Sequence, residues 1–456
     1  MNPEPKRVLL FAAKLGYQTR SFEDAARALG VQLLYVTDRC HQLGDPWNDR
    51  ALPVHFESPE QAAHAVIEAF RAAPPDAVLA VGDRPSLAAA CAARGLGILH
   101  NHPASVEACR SKLRTREVFR EAGLLTPRFR SVPLHPVPDP ALLGITYPCV
   151  LKPLSLSASQ GVMRAANPGE FAAAASRLQR LLKSPEIRAT REPNLDQILV
   201  EQYIPGREVA VEGLLTDGAL RILAIFDKPD PLEGPFFEET IYVTPSRFSD
   251  AEQHAIAECA LGAVRALGLL HGPIHAEFRI NERGVWPLEV APRPIGGLCG
   301  RALRFALPGA AAEEETKPAG SPESLAARAA KNAERTISLE ELLLRHALRL
   351  TGAGAYREAS ASAVMMIPVP QSGTLEEIAG QEAALRTPGI TELSITARLH
   401  DYIQAWPEGS SYLGFLFARA ATPAEAEAAL RKAHAQLRFT LKPRLKTEHP
   451  ATRQFA

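Results

Sequence analysis

The stretch 274–291 constrains the chain more than any other. It reads I-H-A-E-F-R-I, then the turn Asn281-Glu-Arg-Gly284, then V-W-P-L-E-V-A. Polar and apolar residues alternate on the first arm, and a glycine-ended turn leads into the second. That pattern predicts an antiparallel hairpin of strands 274–280 and 285–291. Residues two apart share a face of a strand, so His275, Glu277 and Arg279 point one way. Pro287, Glu289, Ala291 and Arg293 face the same way from the partner arm. Two carboxylates, Glu277 and Glu289, therefore approach each other on adjacent strands and would repel if left unpaired. A hard cation such as Mg²⁺ resolves this, because it favours carboxylate and phosphate oxygens. Arg293 nearby suits an anionic phosphoryl group. The competing reading is a solvated hairpin whose charges are neutralised by Arg279 and Arg293.

The rest of the chain organises around this hairpin. Short apolar runs at 7–12, 31–36 and 77–81 alternate with helical patterns, including 21–29 with Ser21 as its cap. Such alternation predicts a parallel α/β sheet. The strand-end turns carry K-L-G and V-G-D rather than G-x-G-x-x-G, so a dinucleotide fingerprint is missing. Residues 106–126 read as one helix ending at Gly123. Strands are expected at 198–203, 208–215 and 220–227, the last two joined by the hairpin turn Thr216-Asp-Gly-Ala. A helix at 250–267 precedes the 274–291 hairpin. Residues 309–335 lose their large apolar side chains and read as a solvated, flexible insertion. An amphipathic helix follows at 339–350. The tail carries strands at 363–369, 393–397 and 412–418 and a helix at 423–437, a small α+β pattern.

Two further motifs bear on chemistry. In Y-P-C-V-L-K-P, Lys152 ends an apolar strand and precedes a loop of small residues, 155–161. Backbone N–H groups in such a loop can close over phosphates while the lysine neutralises them. A strand-end lysine reaching solvent is the plainer alternative. E-Q-Y-I-P-G-R-E, residues 201–208, is a strand, a bend and a second strand. The backbone of Gln202, Tyr203 and Ile204 could pair with an adenine edge and Glu208 with ribose hydroxyls. Exposed carboxylates on a β-bend are the alternative there.

Taken in order, these blocks resemble the ATP-grasp superfamily. V-L-K-P-L-S-L-S-A-S-Q-G-V, V-E-Q-Y-I-P-G-R-E-V-A-V-E-G and H-A-E-F-R-I…W-P-L-E-V-A-P-R-P-I-G-G match its successive motifs. H-N-H-P-A-S-V-E-A-C-R-S-K-L-R-T-R-E-V-F-R-E-A-G is similar to its entry helix. P-G-I-T-E-L and P-E-G-S-S-Y-L-G-F-L-F-A-R-A resemble the C-terminal domain of bacterial amino-acid ligases that make dipeptides, and of carnosine-synthase-like enzymes. The resemblance implies an α/β chain of three parts. A Rossmann-like pre-ATP-grasp domain spans 1–105, and a two-lobed ATP-grasp domain spans 106–352 with the insertion 309–335. A C-terminal α+β domain spans 353–456. It implies that Lys112, Lys152, Ser159 and Gly161 meet the ATP phosphates. Glu201 with Gln202–Ile204 would hold adenine, and Glu208 the ribose. Glu277 and Glu289 would bind Mg²⁺, with Mn²⁺ an acceptable substitute, and Arg293 would steady the transferring phosphoryl group. Lys228, Glu239, His275 and Arg301 are the candidate substrate contacts, each with a surface or structural charge as its alternative.

The implied reaction activates a carboxylate, such as that of an amino acid, as an acyl phosphate that an amine then attacks. A purine-pathway or carboxylase-type ATP-grasp enzyme stays open, although no biotin-attachment A-M-K-M is present. So does a non-catalytic ATP-binding module. Two residues depart from the family pattern. Ala291 stands where most relatives place an asparagine ligand for a second Mg²⁺, and the phosphate loop has a single glycine, Gly161. Lys and Arg total 51 and so do Asp and Glu, which points away from nucleic acid and membrane partners. Small-molecule carboxylate and amine partners fit, and a homodimer is compatible. Six scattered cysteines without a C-x-x-C pair fit a reducing cytoplasm.

Overall fold

The computed structural model describes residues 4–13, 17–38, 51–140, 144–307 and 336–443. The expected insertion at 309–335 lies outside the described residues. The first sheet is parallel, in the order Leu52–Pro53, Gln32–Thr37, Arg7–Ala12, Ala77–Val81. Residues 8–12 and Ala77–Val81 are apolar and buried throughout because helices cover both faces. One of these, Asp83–Leu96, starts directly after Gly82 at the end of the strand Ala77–Val81. The V-G-D turn thus sets Asp83 at the carboxyl edge of the sheet. The helix expected at 21–29 spans Tyr17–Leu29, so Ser21 lies inside it rather than capping it.

The helix expected at 106–126 is two helices, Pro103–Arg110 and Lys112–Glu121. Ser111 breaks them: its backbone is extended (φ −102°, ψ 109°) and its hydroxyl accepts from the N–H of Arg114 at 3.3 Å. A side-chain acceptor at this position satisfies a first-turn donor and stabilises the start by about 1 kcal/mol. The break puts Lys112 on the first turn of the second helix, facing the next lobe.

That lobe is a four-stranded antiparallel sheet, Phe129–Pro133, Gln197–Gln202, Cys149–Pro153, Met163–Ala165, backed by the helix Pro168–Lys183. The second lobe is an eight-stranded antiparallel sheet. Its order is Gly284–Ala291, Gly272–Asn281, Arg207–Thr216, Ala219–Asp227, Ile241–Thr244, Ala361–Ile367, Gly414–Ala420, Ile390–Ile395. The last three strands come from the tail. The tail, expected as an α+β domain from residue 353, therefore extends the central sheet through the pairing of Ile241–Thr244 with Ala361–Ile367. The turn at Asp217-Gly218 has φ of 50° and 82°, the left-handed pair a two-residue hairpin needs. Among the described residues no helix is long and apolar enough to cross a membrane, and the five described cysteines are unbridged.

Candidate active site

The two lobes face each other across a cleft of about 750 Å³. Ten of the sixteen expected site residues line it: Lys112, Lys152, Ser159, Glu201 to Ile204, Glu208, Glu277 and Glu289.

The first-lobe wall is cationic. Glu201 is 3% exposed and sits between two basic groups. Arg116 donates to both its oxygens, at 2.8 and 3.3 Å, and Lys152 Nζ makes a short ion pair with it. Burial alone would raise the carboxyl pKa, but Arg116 and Lys152 hold it down to about 2. Burial lowers the Lys152 pKa against the pull of Glu201. Lys112 Nζ donates to the Leu156 carbonyl at the start of the small-residue loop. Arg116 also reaches the opposite lobe, donating to the carbonyls of Leu288 (2.7 Å) and Pro287 (3.4 Å). These carbonyls sit at a bulge: Glu277 pairs with Glu289, and the next residue, Phe278, pairs with Pro287. Arg116 was invisible in the sequence, one basic residue among several on its helix; only its burial distinguishes it.

The second-lobe wall is anionic around a single ammonium. One carboxylate oxygen each of Glu208, Glu239 and Glu277 lie within 4.8 Å of one another. Lys228 Nζ sits among them, 2.8 Å from Glu208, 3.4 Å from Glu277 and in a short contact with Glu239. Burial opposes its charge, yet the carboxylates raise its pKa well above the usual value. Burial and the neighbouring Glu277 and Glu208 push Glu239 up to about 7 against Lys228, and Tyr242 donates to its other oxygen at 2.8 Å. Glu208 is engaged a second time by Arg279 at 2.8 Å. His275 lies 2.5 Å from Glu212 through Nδ1 and 3.5 Å from Glu277 through Nε2. Burial disfavours the imidazolium, but Glu212 raises its pKa to about 9. Lys228, Glu239 and His275 thus stand behind the cleft wall and hold its carboxylates. Glu289 is half-buried, and its carboxylate makes no hydrogen bond or ion pair among the described residues. Converging oxygen donors with one carboxylate left open fit a hard divalent cation. Glu239 belongs to the cluster although hairpin periodicity pointed to Glu277 and Glu289 alone; it comes from the loop before Ile241–Thr244.

Three expected residues sit elsewhere. Arg293 was expected on the phosphoryl group, but its guanidinium takes both oxygens of Asp83, at 2.9 and 3.0 Å, and is 9% exposed. This buried bidentate pair ties the parallel-sheet domain to the end of the hairpin. It keeps Asp83 ionised below its usual range despite burial. Arg301 pairs with Glu392 and lines a small separate cavity with Gln18. Gly161 is not on the cleft wall; a Cβ there would meet Pro153 at 2.8 Å and Leu178 at 2.9 Å. Its glycine serves packing and a φ of 76°. The adjacent Ala158 and Ser159, at φ 54° and 52°, are left-handed without being glycine and do face the cleft.

A second cavity of about 890 Å³ opens beside the cleft and shares Lys112 and Glu289 with it. Arg84, Arg110 and Glu192 line it, with Glu192 3.4 Å from Arg84 and 3.5 Å from Arg110. None of these three was singled out from sequence.

Residues 145–302 match the family model of the ATP-grasp domain, and residues 365–442 match L-amino acid ligase C-terminal domain 2. Over 224 residues the chain is 29% identical to a D-alanine–D-alanine ligase of Bordetella petrii, covering 47% of this chain and 63% of that protein. An alanine–anticapsin ligase of Bacillus subtilis is 26% identical over 219 residues, 44% of each chain. The chain spans 53% to 63% of the length of the first curated relatives it matches. The crystal structure of an L-amino acid ligase from Bacillus licheniformis superposes with a TM-score of 0.74 at 26% identity, covering 96% of this chain and 99% of that one.

Proposed function

We propose, for a chain that belongs to the ATP-grasp superfamily and carries an L-amino acid ligase C-terminal domain, that it joins a carboxylate to an amine at the expense of ATP. The observation that carries this reading is the cleft with walls of opposite sign. Lys112, Lys152 and Arg116 outnumber the one carboxylate of their wall, which favours a polyphosphate. Glu277 and Glu289, backed by Glu208 and Glu239, would hold Mg²⁺ against it. When bound, that cation neutralises charge on the transferring phosphoryl group. Phosphoryl transfer needs positioning and charge neutralisation more than covalent participation by the protein.

In this reading Ile204, whose N–H is free of the chain's own hydrogen bonds among the described residues, presents a donor to the adenine edge. A substrate carboxylate oxygen attacks the γ-phosphorus and ADP leaves. The amine then attacks the acyl carbon, phosphate leaves, and a proton is lost. The adjoining cavity supports an amino acid as substrate, because Arg84 and Arg110 suit a carboxylate and Glu192 an ammonium. Release of ADP and phosphate over a panel of amino-acid pairs, with and without bicarbonate, tests the proposal. Turnover with amino-acid pairs is expected. Dependence on bicarbonate would replace it with a carboxylase, and ATP binding without turnover with a binding module.

A further inference from the structure

We infer that the segment 406–409, W-P-E-G, is a latch that holds the phosphate loop closed, and that Arg177 and Glu408 are positioning residues for the nucleotide. The inference rests on the reading of the cleft as the ATP site. Its starting point is the motif P-E-G-S-S-Y-L-G, which the ligase chemistry above leaves unused. Four interactions join this short segment to the first lobe. Trp406 Nε1 donates to the carbonyl of Ala158 at 3.2 Å. The N–H of Gly161 donates to the carbonyl of Pro407 at 2.7 Å. Gln160 Nε2 donates to the carbonyl of Glu408 at 2.7 Å. Arg177, on the helix Pro168–Lys183, takes both oxygens of the Glu408 carboxylate, one of them at 2.7 Å.

The targets matter as much as the number. Ala158 and Ser159 hold left-handed backbone conformations that residues with a Cβ rarely adopt. Such a conformation persists only where surrounding contacts over-determine it. The bonds from Trp406 and to Pro407 and Glu408 bracket those two residues on both sides. Gly161 is pressed by Pro153 and Leu178 on one flank, and its N–H faces the latch on the other. The loop's inner side lines the cleft next to Lys112 and Lys152. A nucleotide entering or leaving past this loop must loosen these bonds. The tail thereby sets how firmly the loop closes, although neither Arg177 nor Glu408 lines the cleft.

The test uses the full-length protein and mant-ADP as probe. In Glu408→Gln and Arg177→Ala the release rate of mant-ADP and the KM for ATP should rise together, roughly threefold each, as expected for a half-exposed ion pair. kcat should hold or rise. Trp406→Phe, which keeps the ring and removes the donor, should change the same two quantities. The charge swap Arg177→Glu with Glu408→Arg should bring release back toward the wild-type rate. A lower melting temperature with unchanged release and KM in all three single variants would make the contacts structural only and overturn the latch. Wild-type protein that binds no mant-ADP would overturn the nucleotide reading and the latch together. If a single variant does not fold, the swapped pair decides: release slower than in the foldable singles supports the latch, and equal release refutes it.

Discussion

The two walls of the cleft are built on one plan with the charges reversed. In the first lobe one buried carboxylate, Glu201, gathers Lys152 and Arg116. In the second lobe one buried ammonium, Lys228, gathers Glu208, Glu239 and Glu277. Like charges can be packed at a site only if something of opposite sign holds them before a ligand arrives, and a site so prepared spends little reorganisation when it binds. The walls differ in one respect. The cationic wall keeps its centre when a polyphosphate binds, because Glu201 is more deeply buried than its lysine. The anionic wall leaves Glu289 open, so a cation can add to it without displacing Lys228.

The largest effect should come from that open carboxylate. Glu289→Gln is expected to lower the rate of ADP and phosphate formation by about 10²–10³, with ATP binding by calorimetry reduced far less. Normal turnover at low Mg²⁺ would make the hairpin charges structural.

Removing the two centres compares the walls directly. Glu201→Gln leaves Arg116 and Lys152 buried without their anion, and Lys228→Met leaves Glu239 without a cation and Glu208 and Glu277 with only Arg279 and His275. Each should cost about 3–5 kcal/mol of unfolding free energy in urea. Millimolar Mg²⁺ should stabilise Lys228→Met more than Glu201→Gln, because only in Lys228→Met does the metal also replace a lost positive charge on the wall that binds it. Equal rescue of both, or of neither, would end the comparison.

Lys152→Ala should weaken ATP binding by roughly tenfold, since a phosphate loses a charged donor. Its stability loss should stay below that of Glu201→Gln, because Arg116 still neutralises Glu201. Unchanged affinity would leave Lys152 as a counterion of Glu201 alone.

The smallest effect lies away from both walls and serves as their control. The rings of His271 and His346 stack at 4.5 Å, with Thr216 2.9 Å from His346 Nε2. Burial holds His346 and His100 down to about 4 from an ordinary 6.5. As pH falls the unfolded chain takes up these protons first. Their contribution is therefore complete above 6.5 and is lost as pH falls toward about 4. In His346→Gln the fall of stability across that window should flatten by up to about 1.4 kcal/mol per pH unit. An unaltered slope would place the titration elsewhere.

The elements of the fold were legible because their signals are local. Alternation over 274–291 put Glu277 and Glu289 on one face, and they do pair, but through a bulge that skips Leu288; Pro287, expected on that face, pairs with Phe278 instead. The strand pattern also located Cys149–Pro153, Gln197–Gln202 and Arg207–Thr216 to within a residue or two, but not Phe129–Pro133 or Met163–Ala165. Helix boundaries were less legible, since the break at Ser111 lies inside a continuous amphipathic pattern. The tail's strands were visible, but their pairing was not: edge-to-edge continuation of a sheet depends on which edge is free once the rest has folded.

By itself the sequence determined the order of elements, the hairpin and the ATP-grasp resemblance, because these follow from periods of two and 3.6 residues and from contiguous motifs. Only the tertiary structure decided the partners of the charges. Arg293 goes to Asp83, 210 residues away. Lys228 goes among three carboxylates from different strands and loops, and Arg116 goes between the lobes. Every such choice is made by burial: in water these groups are interchangeable, and once desolvated each must find its counter-charge within a few ångströms, wherever the chain happens to supply it.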